Sequence, residues 1–190
     1  MRTSVPLAHA YRLLNHGPTT LVTTAHGGRR NVMAAAWVMP LDFEPPKFAA
    51  VVAADTFTRE LLDAAGECVL QVPTTEQLQL TYDCGSRSGR DGDKFTALGI
   101  GTSAASLVAA PLVDGCAAWL ECRVLAEPDL ATRHDLFVLE CVAAWADDRW
   151  WHNGEWQFAP AGPRSLHHLK GGVFFATGER LAAARPRRSS

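Results

Sequence analysis

The chain has 190 residues, enough for one ordinary domain and cramped for two. Hydrophobic residues make up 47% and charged residues 20%, which excludes a disordered chain and supplies material for a sizeable core. A formal net charge of −2 argues against a nucleic-acid-binding surface, and no apolar run of about 18 residues marks a membrane helix. The stretch from Met1 to Gly17 lacks a continuous apolar segment, so a secretory signal is not expected. Five cysteines (Cys68, Cys84, Cys116, Cys122 and Cys141) form no C-x-x-C pair. An odd number of that kind suits reduced, packed thiols in a cytoplasmic protein.

In chain order, Thr19 to Ala25 is rich in β-branched residues, lies between Gly17-Pro18 and Gly27-Gly28, and reads as a strand. Met33 to Met39 (MAAAWVM) suits a strand or a helix equally well. Phe48 to Ala54 is a short continuous apolar run after Pro45-Pro46, expected of a strand buried on both faces. A helix is predicted over Thr58 to Ala65, after the capping candidates Asp55 and Thr56 and before Gly66. Glu67 to Val72 is a strand ending at Pro73, and Thr75 to Asp83 and Asp93 to Leu98 are weaker helices. Ala118 to Val124 alternates with period two, and Leu136 to Trp145 is apolar on both faces apart from Glu140. A hairpin-like segment, DDRWWHNGEWQF, then gathers Trp150, Trp151 and Trp156. Packing, a subunit contact or the lining of a planar ligand would each account for them. Residues 182–190 form a basic tail, expected to be flexible, which leaves one domain over residues 1–181. Strands with small inserted helices, without strict βαβ alternation, predict a mainly β fold: an antiparallel barrel with helical decoration.

Several familiar signatures fail. Gly85, Gly89 and Gly92 fit neither the P-loop nor the dinucleotide fingerprint, and Gly99-Ile100-Gly101 lacks the third glycine. In Gly85-Ser86-Arg87-Ser88-Gly89 an arginine stands where a nucleophile elbow needs its serine. The adjacent His167 and His168 would face opposite ways on a strand, and no metal site is expected.

Three segments remain. NVMAAAWVMP, from Asn31 to Pro40, offers small side chains and backbone amides beside Trp37, which would let a flat ring approach the main chain. Core packing would explain the alanines equally. DTFTRELL, from Asp55 to Leu62, puts hydroxyls and Arg59 at a helix N-terminus, where free N–H groups and the dipole favour an anion. Plain capping beside a surface arginine is the competing account. SGRDGDKF, from Ser88 to Phe95, adds Arg90 and Lys94 in a glycine-broken loop, suited to phosphate or simply to solvent.

In this order, with LVTT before the first segment and LEC-R-V after the third, the sequence resembles the flavin reductase-like family. These are FMN-binding split barrels that include flavoredoxin. The final stretch HHLKGGVFF, from His167 to Phe175, is similar to that of many members. The resemblance implies a single-domain, six- to seven-stranded Greek-key split β-barrel that forms homodimers and holds FMN near the subunit boundary. By position, Asn31, Ala34, Ala35, Ala36 and Trp37 would line the isoalloxazine and ribityl chain, and Met39, Pro40, Leu41 and Asp42 would continue that wall. Thr56, Thr58 and Arg59 would receive the phosphate, with Lys94 and Arg90 closing over it. Ala34 to Ala36 replace the Ser or Thr common in the reductase branch, so main-chain groups would have to hold the ring. His134, in Arg133-His134-Asp135, is a weak candidate for a nicotinamide-binding role. The implied activity is an FMN-dependent oxidoreductase, an NADH- or NADPH-dependent flavin reductase or the reductase component of a partner monooxygenase. A flavoredoxin-like electron carrier and a fold relative binding another small ligand are the alternatives. No side-chain acid, base or nucleophile is required, since the flavin would carry the chemistry.

Overall fold

The computed structural model describes residues 1–184; residues 185–190 of the expected tail lie outside the described residues, and residues 182–184 are exposed without regular structure. In chain order the elements begin with β1 (Arg2–Ser4), a 3₁₀ turn (Leu7–Leu13), β2 (Thr20–His26), β3 (Arg29–Ala35), β4 (Val38–Phe43) and β5 (Pro46–Val51). They continue with α1 (Phe57–Ala65), β6 (Glu67–Val72), a 3₁₀ turn (Thr75–Gln77), α2 (Leu78–Ser86), α3 (Lys94–Ala97), β7 (Thr102–Ser103) and β8 (Leu112–Val113). The chain then forms β9 (Ala118–Val124), α4 (Pro128–His134) and the long β10 (Leu136–Asp147). Two short hairpins complete it: β11 (Trp151–His152) with β12 (Glu155–Trp156), and β13 (Leu166–Lys170) with β14 (Val173–Ala176).

The main sheet runs β3-β2-β6-β9-β10-β5-β4, with β1 added on β10, and its pairings are antiparallel. Its two ends, β3 and β4, are consecutive strands separated only by Ala36 and Trp37. So short a connection spans about 11 Å at most. The sheet therefore curls until its edges meet at that joint, although β3 and β4 do not pair. The result is a split barrel. MAAAWVM thus resolves into the end of β3 and the start of β4, because the chain turns between the alanines and Val38.

Alternation decides which side chains fill the barrel. Val22, Phe48, Leu70, Leu120 and Leu139 are buried inside it, and Cys68, Cys122 and Cys141 lie opposite one another on β6, β9 and β10. A second cluster, with Leu21, Val32, Val69, Phe95 and Trp119, packs on the other face beneath α2 and α3. Both faces of the central strands are covered, which explains their nearly continuous apolar runs. The expected strand over Phe48 to Ala54 starts earlier, at Pro46, and stops at Val51, with one further ladder bond from Val52 N–H to Asp135 O (2.8 Å). The expected helix over Thr75 to Asp83 starts as a 3₁₀ turn and runs on to Ser86.

The tryptophan-rich segment is a hairpin whose two-residue turn, Asn153-Gly154, has positive φ at both positions (53° and 77°). Trp150 and Trp151 are core residues, and Trp156 is only half-buried. The β13–β14 hairpin stands outside the main sheet and is tied down at its root. Thr19 N–H donates to Leu166 O (2.7 Å) and Thr75 N–H to Arg164 O (2.8 Å). His16 Nε2 lies 2.9 Å from Ser165 Oγ, and the His167 ring meets Gly17 O and Thr177 Oγ1, each at 3.0 Å.

Burial, reinforced by the neighbouring His167, pushes the His16 pKa down to about 4. The unfolded chain therefore binds a proton that the folded chain refuses as pH falls from about 6.5 towards 4. Stability is full above that window and lost within it, by about 3 kcal/mol for this group. Denaturant unfolding at pH 7.0 and about pH 4.5 should show this loss, and His16→Gln should reduce the pH dependence.

Candidate functional site

A cleft opens where edge strand β3 faces α2 and the loop that follows it. It consists of two adjoining cavities that share Ala34, Gly85 and Ser86. One, of about 320 Å³, is lined by Asn31, Thr56, Thr58, Arg87, Ser88 and Arg90 among others. The other, of about 350 Å³, lies between Ala35 and Ala36 on one side and Tyr82, His168 and Phe174 on the other.

The first cavity gathers hydrogen-bond donors and two arginines. Thr56 is the N-cap of α1, its Oγ1 accepting from Arg59 N–H (3.1 Å), and the preceding N–H groups of that first turn have no intrahelical acceptor. Asn31 is buried on β3; its Nδ2 donates to Thr58 Oγ1 (2.8 Å), while its Oδ1 is buried without a partner among the described residues. The loop can lie this close because residue 89 is glycine. A methyl group there would overlap Asn31 Oδ1 and the Phe57 ring. Arg90 donates to Asp55 O (2.7 Å) and leans towards Glu60 (3.5 Å). The exposed Arg87 lines the same cavity and has no protein hydrogen bond among the described residues.

Lys94 lies beneath this end. It is 5% exposed, and its Nζ donates to Val32 O and Cys84 O, both at 2.8 Å. One acceptor belongs to edge strand β3 and the other to α2, so the ammonium stitches the two walls of the cleft together. Desolvation lowers its pKa.

The second cavity is neutral and flat-sided. Small residues, Ala34 to Ala36 and Gly85, form one wall. The β13–β14 hairpin forms part of the other, and its turn approaches the Tyr82 ring so closely that a Cβ at Gly172 would stand 3.5 Å from it. The hydroxyls of Thr19 and Thr81 are buried there without partners among the described residues.

The structure brings Asn31, Ala34, Ala35, Ala36, Thr56, Thr58, Arg90 and Lys94 to the cleft. It does not bring Arg59. That guanidinium bonds Asp63 (2.8 Å) and Asp135 (3.0 Å) and covers the Phe137 ring at 4.8 Å. Thr58 turns inward to Asn31, and one residue further on the helix rotates the side chain by about 100° to another face. Trp37, Met39, Pro40, Leu41 and Asp42 do not line the cleft either. Trp37 stands in the joint, 75% exposed, the other four run along edge strand β4, and Asp42 pairs with Lys47 (2.7 Å). His134 ends α4 and also lies outside it.

Residues 12–158 match the family model described as flavin reductase like domain. The chain belongs to the flavin reductase-like family. It is 43% identical to the Escherichia coli (strain K12) protein YddH over 182 residues, 94% of this chain and 96% of that one. A solved FMN-binding domain of a flavin reductases-like enzyme from Shewanella baltica OS155 superposes with a TM-score of 0.94 at 46% identity, covering 97% and 98% of the two chains. The flavoredoxin of Desulfovibrio vulgaris (Miyazaki F) gives 0.76 at 25% identity, covering 88% and 90%.

For this family member, sequence reasoning passed over Arg87, Ser88, Tyr82 and Phe174 as lining residues. Arg87 was visible only as the residue that spoils a nucleophile elbow. The hairpin residues were visible as a family-like ending without a role.

Lys94→Met should leave two buried carbonyls unpaired and cost about 2–4 kcal/mol in denaturant unfolding. Arg59→Met, which removes contacts remote from the cleft (to Asp63, Asp135, Val52 O, Ala131 O and the Phe137 ring), should leave ligand binding in the cleft unchanged within about twofold, read by titration.

Proposed function

We propose that the cleft holds FMN and that the protein is an FMN-dependent oxidoreductase, taking electrons from NADH or NADPH and passing them to a partner such as a monooxygenase. The observation that carries this reading is the joining of an anion-binding end to a flat, small-residue end in one continuous cleft. The donor set fits such a molecule. The α1 N-terminus, Arg87 and Arg90 would receive the phosphate. Asn31 Oδ1, buried without a partner, would accept from a ribityl hydroxyl. Ala34 to Ala36 and Gly85 leave room for the ring, and their backbone replaces absent side-chain hydroxyls.

Bound flavin would supply the hydride and electron transfer. The chain's own groups bind, orient and exclude water, so no general acid or base is assigned. Tyr82 and Phe174 close the ring end against solvent, and Lys94 keeps β3 and α2 at a fixed separation. The likeness to Desulfovibrio flavoredoxin favours a second reading, an electron carrier whose flavin is reduced by another protein.

The assembly proposed is a two-fold homodimer. Trp37 in the joint and Met39, Leu41 and Phe43 on edge strand β4 form an exposed apolar strip, continuous with Ala36 at the cleft. A second copy would cover that strip and shield an unpaired sheet edge.

Purified protein should be yellow and should consume NADH or NADPH with FMN as the acceptor. A yellow protein inert to both nicotinamides would establish the carrier reading, and a colourless one that binds no FMN would overturn both. Arg87→Ala should weaken FMN by about 1.5–3 kcal/mol and leave riboflavin, which lacks the phosphate, nearly unchanged. Sedimentation should give a dimer for the native chain and a monomer for Leu41→Glu, because an unpaired buried carboxylate is costly at an interface.

A further inference from the structure

The tryptophan hairpin forms a cavity that the flavin cleft does not use. It measures about 380 Å³ and shares no lining residue with either half of the cleft. Trp151, Trp156 and Phe158 supply its aromatic surface, joined by His16 and Arg12 from the 3₁₀ turn and the residue run after it, and by the chain from Thr177 to Arg180. Trp156 and Phe158 are stacked, with centroids 5.0 Å apart and planes 15° from parallel, while Trp151 meets Trp156 edge-on at 5.0 Å. Two ring nitrogens in this region, His16 Nδ1 and Trp156 Nε1, are buried without a partner among the described residues. The indole nitrogen can only donate, so its unmet need is for an acceptor.

The charges around the cavity are unequal in what they have left to give. Arg180 is matched by Glu155 at 2.7 Å, and the exposed Glu179 also lines the cavity. Arg12 is half-buried and has no acidic partner among the described residues; its contacts are neutral, Gly154 O at 3.4 Å and Tyr11 Oη at 3.2 Å. Arg12 packs closely on residue 154, where a Cβ would stand 3.0 Å from its Nη1. His16, with its depressed pKa, is neutral near pH 7 and adds no competing charge. The cavity therefore pairs aromatic faces with one uncommitted guanidinium, in the size range of small-molecule pockets.

We propose that this cavity is a second small-molecule site, for a planar aromatic carboxylate, with the rings held against Trp156 and Phe158 and the carboxylate on Arg12. The inference does not rest on flavin binding, since the two sites have separate walls. His167 and His168 separate them: the first meets His16 and Thr177, and the second lines the flavin cleft.

The test is calorimetric titration of the full chain, with and without FMN, using 2-naphthoate as the probe and neutral 2-naphthamide as its control. One saturable site with a Kd below about 1 mM is expected for 2-naphthoate in both states. Arg12→Met should weaken 2-naphthoate by about tenfold or more and 2-naphthamide by less than about twofold. Trp156→Leu should weaken both probes; if that variant loses its native circular dichroism, Phe158→Leu replaces it. Absence of saturable binding, an unchanged affinity in Arg12→Met, or competition between 2-naphthoate and FMN with both ring variants unaffected would each overturn the proposal.

Discussion

A two-residue joint governs this molecule. Ala36 and Trp37 connect the outermost strands of a curled sheet, so the edges are brought together at one end without being zipped by hydrogen bonds. A fully closed barrel would have consumed the outer backbone groups of β3. An open sheet would have left them to water or to another chain. The split leaves an intermediate condition in which α1, α2 and the loop after α2 can pack against the edge of β3. The cleft follows from that packing and from the small side chains at the joint.

Lys94 shows how the arrangement is held electrostatically. An ammonium with no carboxylate partner is an expensive thing to bury, yet this one touches two carbonyl dipoles from the two walls. Its charge also remains close beneath the cavity lined by Thr56, Arg87 and Arg90. A carboxylate in the same place would neutralise the lysine, whereas carbonyls leave its charge in place. Arg59 illustrates the opposite outcome. Its charge is absorbed by Asp63 and Asp135 and secures α1 to the far side of the sheet.

Much of the fold was legible in the sequence because its signals were local. β2, β6, β9 and β10 declared themselves through β-branched or alternating residues, and α1 through its cap and its terminal glycine. The ordered series of motifs also pointed to the family. Which side of an element faced the cleft was less legible. Arg59 and Thr58 are neighbours in one motif, but helical rotation sends them to different faces. Met39 to Asp42 follow the alanines directly, yet the joint carries them onto the opposite edge of the sheet. Tyr82, His168 and Phe174 meet only because a terminal hairpin folds back on α2, which is a long-range event with no local signature.

The buried cysteines have a practical consequence. Burial pushes Cys68 up to about 12 and Cys84 up to about 11, so neither thiol is reactive while it stays enclosed. Their positions differ: Cys68, Cys122 and Cys141 cross the centre of the sheet, while Cys84 sits in α2 beside the cleft. Each thiol becomes available only when the element around it opens. The protein thus contains its own clocks for two kinds of breathing. Slow alkylation at Cys84 would time the parting of α2 from the sheet, and alkylation at the three central thiols would time the undoing of the barrel itself.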